Sequence, residues 1–94
     1  MQLFAFWSFA LLTLIFAAAV VLNVTAVGFT GVGFLTLFPA GQAVPATSTL
    51  NFDPHESAIA NGAIGGLGTG SQVCVNAGQT ASNVILDIAG FIAP

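Results

Sequence analysis

Residues 20–38 read VVLNVTAVGFTGVGFLTLF, and the fold class turns on this stretch. Val20–Val27 is rich in β-branched side chains, which fit a pleated, half-buried surface better than a helix. Gly28-Phe29-Thr30-Gly31 is a turn signal, and Gly33–Phe38 is a second strand ended by Pro39-Ala40-Gly41-Gln42 and Pro45. The same texture runs on to the C-terminus. Ser48–Phe52 reads as a third strand, with Leu50 and Phe52 on one face and Thr49 and Asn51 on the other. Ala58–Ile64, Gln72–Asn76 and Asn83–Ala89 read as further strands. Between them lie the polar loop Asp53-Pro54-His55-Glu56-Ser57, the glycine-rich Gly65–Gly70 and the turn Ala77-Gly78-Gln79-Thr80. Turn signals every eight to twelve residues, with no long amphipathic helical pattern after Val20 and no internal repeat, predict an all-β protein. The expected architecture is an antiparallel β-sandwich of about six to eight short strands.

Composition narrows the function. The 94 residues contain no Lys or Arg, and Asp53, Glu56 and Asp87 are the only acids. Ordinary soluble domains are about one quarter charged, because charge keeps a surface wetted and its copies apart. Nucleic acid is excluded as an electrostatic partner, since phosphate binding draws on Lys and Arg. Anionic lipid headgroups are excluded on the same ground. A surface so poor in charge is expected to be covered by a bilayer, by copies of the chain, or by a larger parent protein.

Upstream of the strands, residues 1–19 form an apolar N-terminal segment distinct from the module of residues 20–94. Leu3–Leu22 carries no charge and as a helix would measure about 30 Å, the thickness of a bilayer's hydrocarbon. Three readings compete. A signal peptide cut after Ala17-Ala18-Ala19 lacks its basic start. A retained membrane anchor lacks the flanking cations that would orient it. A strand segment is the third reading, in which Phe4, Phe6 and Ser8 alternate with Ala5, Trp7 and Phe9. A continuous apolar run does not separate a buried strand from a helix. The missing basic start favours a retained segment, as an anchor or an assembly strand.

No constellation in the chain points to catalysis, to a cofactor or to a metal. Asp53, His55 and Glu56 cluster, but no second group of His, Cys or carboxylate completes a metal shell. Ser57, His55 and Asp87 supply the residue types of a triad without a Gly-x-Ser-x-Gly elbow. Gly65–Gly70 has no following Lys-Ser or Lys-Thr for phosphate, and Gly70 stands where a calcium-binding repeat needs Asp. It reads as a flexible connection between strands. Asn23-Val24-Thr25 is a glycosylation sequon in mid-strand, where a chance match is the simpler reading. Asp87, between apolar neighbours in the last strand, is expected to be a buried carboxylate held by backbone N–H groups or hydroxyls. Cys74 is the one cysteine, so no internal disulfide forms. A small buried apolar residue is the first reading, and an intermolecular bridge or a reactive thiol the second. Asn51, Asn76, Gln79 and Asn83 could bond a sugar, although Trp7 is the only Trp and there is no Tyr.

From about Ala19 to the end, the ordered set of segments carries a resemblance. It comprises Ala19–Thr25 (AVVLNVT), Gly33–Gly41 (GFLTLFPAG), Pro45, Ser48–Phe52 (STLNF), Ala60–Ile64 (ANGAI), Val73-Cys74-Val75 and Val84–Phe91 (VILDIAGF). In order and spacing this resembles a β-rich accessory module of secreted and cell-surface bacterial proteins, where it is repeated or appended to peptidases and other hydrolases. The resemblance implies an extracellular, non-catalytic domain and offers no catalytic residue. It also implies a second cysteine in the Pro-x-Gly turn, bridged to the position of Cys74, where this chain has Ala40. An aromatic pair usual after the glycine is here Phe91-Ile92. Together these readings predict a structural or adhesive surface module that associates with copies of itself, into a surface assembly or filament, through its apolar segment. The alternatives are a carbohydrate- or cell-wall-binding domain and a membrane-anchored surface protein.

Overall fold

The computed structural model describes residues 2–5, 9–13 and 17–94, the first two stretches as backbone only. Among the described residues eight strands run in chain order: β1 (Gln2–Ala5), β2 (Phe9–Thr13), β3 (Ala19–Val27), β4 (Gly33–Pro39), β5 (Leu50–Phe52), β6 (Ala58–Gly66), β7 (Gln72–Gly78) and β8 (Asn83–Ile92). They form two antiparallel sheets, ordered β1-β8-β3-β6 and β2-β7-β4-β5. The expected all-β sandwich is therefore the fold, with β3, β6 and β8 as the body of one sheet and β4, β5 and β7 as that of the other.

The two sheets meet because each strand alternates. Along β3, Val20, Leu22, Val24 and Ala26 are buried while Val21, Asn23, Thr25 and Val27 are only partly so. Val84 and Leu86 of β8 join them from the same sheet, and Leu35, Leu50, Phe52, Val73 and Val75 close from the other. Burying each such side chain contributes roughly 1.5–3 kcal/mol against the entropy of ordering the chain. Phe29 plugs one end, its ring 4.5 Å from that of Phe52. Thr80 Oγ1 donates to Val32 O at 2.7 Å, tying the β3–β4 and β7–β8 loops together there.

The strand expectations hold with small shifts at the ends. Thr49 precedes β5 yet still bonds β4, its N–H donating to Leu35 O at 2.8 Å and its Oγ1 accepting from Leu37 N–H at 2.9 Å. The last strand runs past Ala89 to Ile92, because Val21 pairs with Gly90 and Leu22 with Ile88, leaving Ala89 as the extra residue of a bulge. In the N-terminal segment, Gln2–Ala5 pairs with β8 and Phe9–Thr13 with β7, so these residues are strands. No helix among the described residues is long and apolar enough to cross a membrane. The alternation drawn through Phe6, Trp7 and Ser8 lies outside the described residues.

Asp87 corrects one expectation. It is half-buried on the outward face of β8, one step from buried Leu86, in register with Asn23 of β3 and Gln2 of β1. The alternation of β8 turns it away from the core, so it is not an interior lock. The glycine-rich connection is also more than a flexible link. Gly68 N–H donates to Gln72 O (2.9 Å), Thr69 N–H to Ala40 O (2.9 Å) and Ala40 N–H to Gln72 O (3.1 Å). These bonds clasp the β6–β7 loop to the turn after β4.

Candidate functional groove

The outward face of the β2-β7-β4-β5 sheet carries a concavity lined by several polar groups. The segment 40–49 folds back over this face, held by Thr36 Oγ1 donating to Thr47 O at 2.7 Å. That bond satisfies a threonine that is otherwise fully buried. Between this segment and the sheet lies a groove of about 490 Å³, lined by Phe34, Pro45, Ser48, Asn51, Asn76 and the residues around Thr47. Phe34 of β4 stands opposite Asn51 of β5 on one side and Gly78 of β7 on the other. Only glycine fits at 78, because an added Cβ would collide with the Phe34 ring. Lateral strand pairing thus places a flat apolar ring beside two amides, an arrangement able to stack on one face of a sugar ring and bond its hydroxyls.

Of the four amides expected to serve a sugar, the structure brings two to this groove. Gln79 lies in the β7–β8 turn in the left-handed region (φ 68°), and Asn83 opens β8 with its amide beside Gly28. Trp7 lies outside the described residues. Phe34 itself was not singled out by the sequence reading. Its only signal is a Phe in one strand and a Gly in another, a link that needs the strand order.

The other sequence candidates do not assemble. Asp53 Oδ1 accepts the His55 backbone N–H at 2.9 Å and contacts His55 Nδ1, while Asp53 O accepts the Glu56 N–H at 3.0 Å. This is a closed turn in solvent. The backbone bond from His55, then the ring, hold the Asp53 carboxyl below the usual carboxylate range. Among the described residues no group of three His, Cys, Asp or Glu is placed to hold a metal. His55 and Ser57 sit in the loop before Ala58, which pairs with Val27, whereas Asp87 pairs with Asn23, four residues along β3. That separation is roughly 13 Å, so no triad forms. Asn23 faces outward with Nδ2 donating to Thr25 Oγ1 at 3.4 Å.

Cys74 is buried on the outward side of β7 in a small cluster with Phe38 and Ala40. Burial pushes its thiol up, as expected of an inert apolar residue.

No protein-family model, no curated protein and no solved structure matches this chain.

Proposed function

We propose that this chain is a non-catalytic structural or adhesive module of the extracellular surface, which associates with copies of itself by exchanging its apolar N-terminal segment. The observation that carries the reading is the placement of that segment. Its two strands add to the edges of both sheets, β1 on β8 and β2 on β7. An element held at sheet edges by backbone pairing can be supplied equally by a neighbouring copy, and head-to-tail supply builds a filament when the rotation does not close. With no Lys or Arg and three acids in the whole chain, stacked copies meet little repulsion. The resemblance to a bacterial accessory module supports the surface location and the absence of catalysis.

Deleting residues 1–16 is expected to convert large assemblies into monomers or misfolded protein, as measured by light scattering after size exclusion and by electron microscopy. Assemblies unchanged by the deletion would refute the strand-exchange reading.

The groove favours a second reading, a carbohydrate- or cell-wall-binding domain. Here Phe34→Ala removes the stacking face and is expected to weaken retention on cell-wall glycan at least about tenfold, since a stacked ring contributes on the order of 1.5 kcal/mol. Pull-down on insoluble glycan decides it: no retention of the intact chain ends this reading.

A further inference from the structure

We propose that β6 is a homodimerisation edge, pairing antiparallel with β6 of a second copy about a two-fold axis at Gly62. This contact uses neither β1 nor β2, and so goes beyond the strand-exchange reading.

β6 is the end strand of its sheet, and its pairing with β3 is continuous from Val27↔Ala58 to Ala19↔Gly66. Leu67 N–H donates to Ala18 O at 3.0 Å, which sets the phase of that ladder. In an antiparallel pair, alternate residues exchange both bonds with the partner strand and the others point both groups away. Ile59, Asn61, Ala63 and Gly65 therefore bond β3. Ala58, Ala60, Gly62, Ile64 and Gly66 turn their N–H and C=O groups to the open edge, and all five are exposed.

Natural sheets guard their edges with short strands, proline, charge or a bulge. In the other sheet the end strand β5 has three residues, with Pro45 ahead of it and Asp53-Pro54 directly after. β6 has nine residues, none of them charged or proline, and its register carries no bulge. It is also held firmly in place, because Asn61 Nδ2 donates to Thr49 O at 3.0 Å across the sandwich. The result is a long, straight, unguarded edge.

A second copy of the chain fits this edge. The five free positions are symmetric about Gly62. With Gly62 facing Gly62 of the second copy, Ala58 faces Gly66 and Ala60 faces Ile64, so every free group finds a partner and about ten hydrogen bonds form. The side chains of these positions share the outward face and are small except Ile64, which is 67% exposed and comes to lie beside the partner's Ala60. Like charges facing across a two-fold axis oppose such pairing, and here there are none. An isologous contact of this kind closes as a dimer, or pairs two head-to-tail chains.

The test uses the full chain in two doubly substituted forms, each with circular dichroism and melting as the check on fold, since both positions are exposed. Ala60→Lys with Ile64→Lys sets lysine against lysine across the axis and is expected to weaken dimerisation at least about 100-fold by analytical ultracentrifugation. Ala60→Lys with Ile64→Glu sets lysine against glutamate and is expected to restore it to within about tenfold of the parent. Hydrogen exchange supplies the second readout: amides of Ala60, Gly62 and Ile64 slow on association. If those amides exchange equally fast in associated and dilute protein, β6 pairing is wrong even where N-terminal exchange still drives assembly. A chain that stays monomeric overturns it as well. Protection that survives the two-lysine form, or equal loss in both forms, means another strand or register occupies the edge and overturns the two-fold arrangement.

Discussion

Gly68→Ala is expected to cost at least about 3 kcal/mol, and to leave little folded protein, because it strikes the clasp between the two loops that cross at one end of the sandwich. A Cβ at 68 would sit against the carbonyl oxygen of Ala40 at a separation no real contact reaches, and 2.8 Å from Ala40 N. The atoms it meets are backbone, so no side chain can swing aside. Relief requires moving the turn after β4 away from the loop, which breaks the Thr69 to Ala40 bond (2.9 Å) and strains the Ala40 to Gln72 bond (3.1 Å). Two buried donors or acceptors left unpaired cost about 1–3 kcal/mol each. A domain of this size holds only about 5–15 kcal/mol in total. Gly62→Ala is the control, since an added Cβ there meets nothing within 4 Å of its own chain and is expected to leave the protomer as stable as the parent or more stable by up to about 1 kcal/mol. Chemical denaturation of the two variants decides the matter: similar midpoints would mean the clasp is slack.

The strands were legible because their signal is local. Val20–Val27 alternates along one strand, and Gly28 and Gly31 punctuate it, so boundaries within a residue or two could be read without knowing any neighbour. β5 starts at Leu50, two residues after Ser48, although Thr49 still reaches β4 through its N–H to Leu35 O and its Oγ1 from Leu37 N–H, bonds that composition does not reveal. The face taken by Asp87 is hidden from the sequence for a related reason. Its neighbours Leu86 and Ile88 are apolar, but only the pairing with β3 says which face of the strand carries which row. The apolar run before Ala19 offered strand and helix equally, because an unbroken hydrophobic stretch has no period. Its strands are set by the edges of β8 and β7 that they meet.

The groove and the open edge were illegible for a deeper reason. Phe34, Asn51 and Asn76 lie on three strands and become neighbours only through the lateral order β7-β4-β5. Whether a strand is central or terminal is likewise a property of that order. The sequence Ala58–Gly66 reads the same in either place, although its lack of charge and proline acquires meaning only once it is known to end a sheet.

Ala40→Cys is expected to form an internal disulfide with Cys74 and to stabilise the fold by about 3–4 kcal/mol, raising the melting midpoint by roughly 15–25 °C. Ala40 and Cys74 are 7% and 4% exposed and pack in one small cluster with Phe38, outside the main core. Phe38 faces Cys74 across the β4–β7 ladder, and Ala40 N–H still bonds Gln72 O before the chain turns at Gly41. The two side chains therefore lie on the same face, one diagonal step apart, in one buried cluster with Phe38. The bridge would close a loop of some 34 residues, whose lost freedom in the unfolded chain gives the estimate. It would also erase a pH dependence. Burial pushes the Cys74 thiol above its ordinary value of 9.0, so the folded parent keeps a proton that the unfolded chain gives up. Its stability is thus intact below about pH 9 and declines as the pH rises through the folded value, whereas the bridged variant has no thiol to titrate. Thiol titration in denaturant and melting curves at pH 7 and pH 10 test this together. Two free thiols after oxidation, or a bridged protein that melts below the parent, would show that residues 40 and 74 stand too far apart for a bridge despite their shared burial.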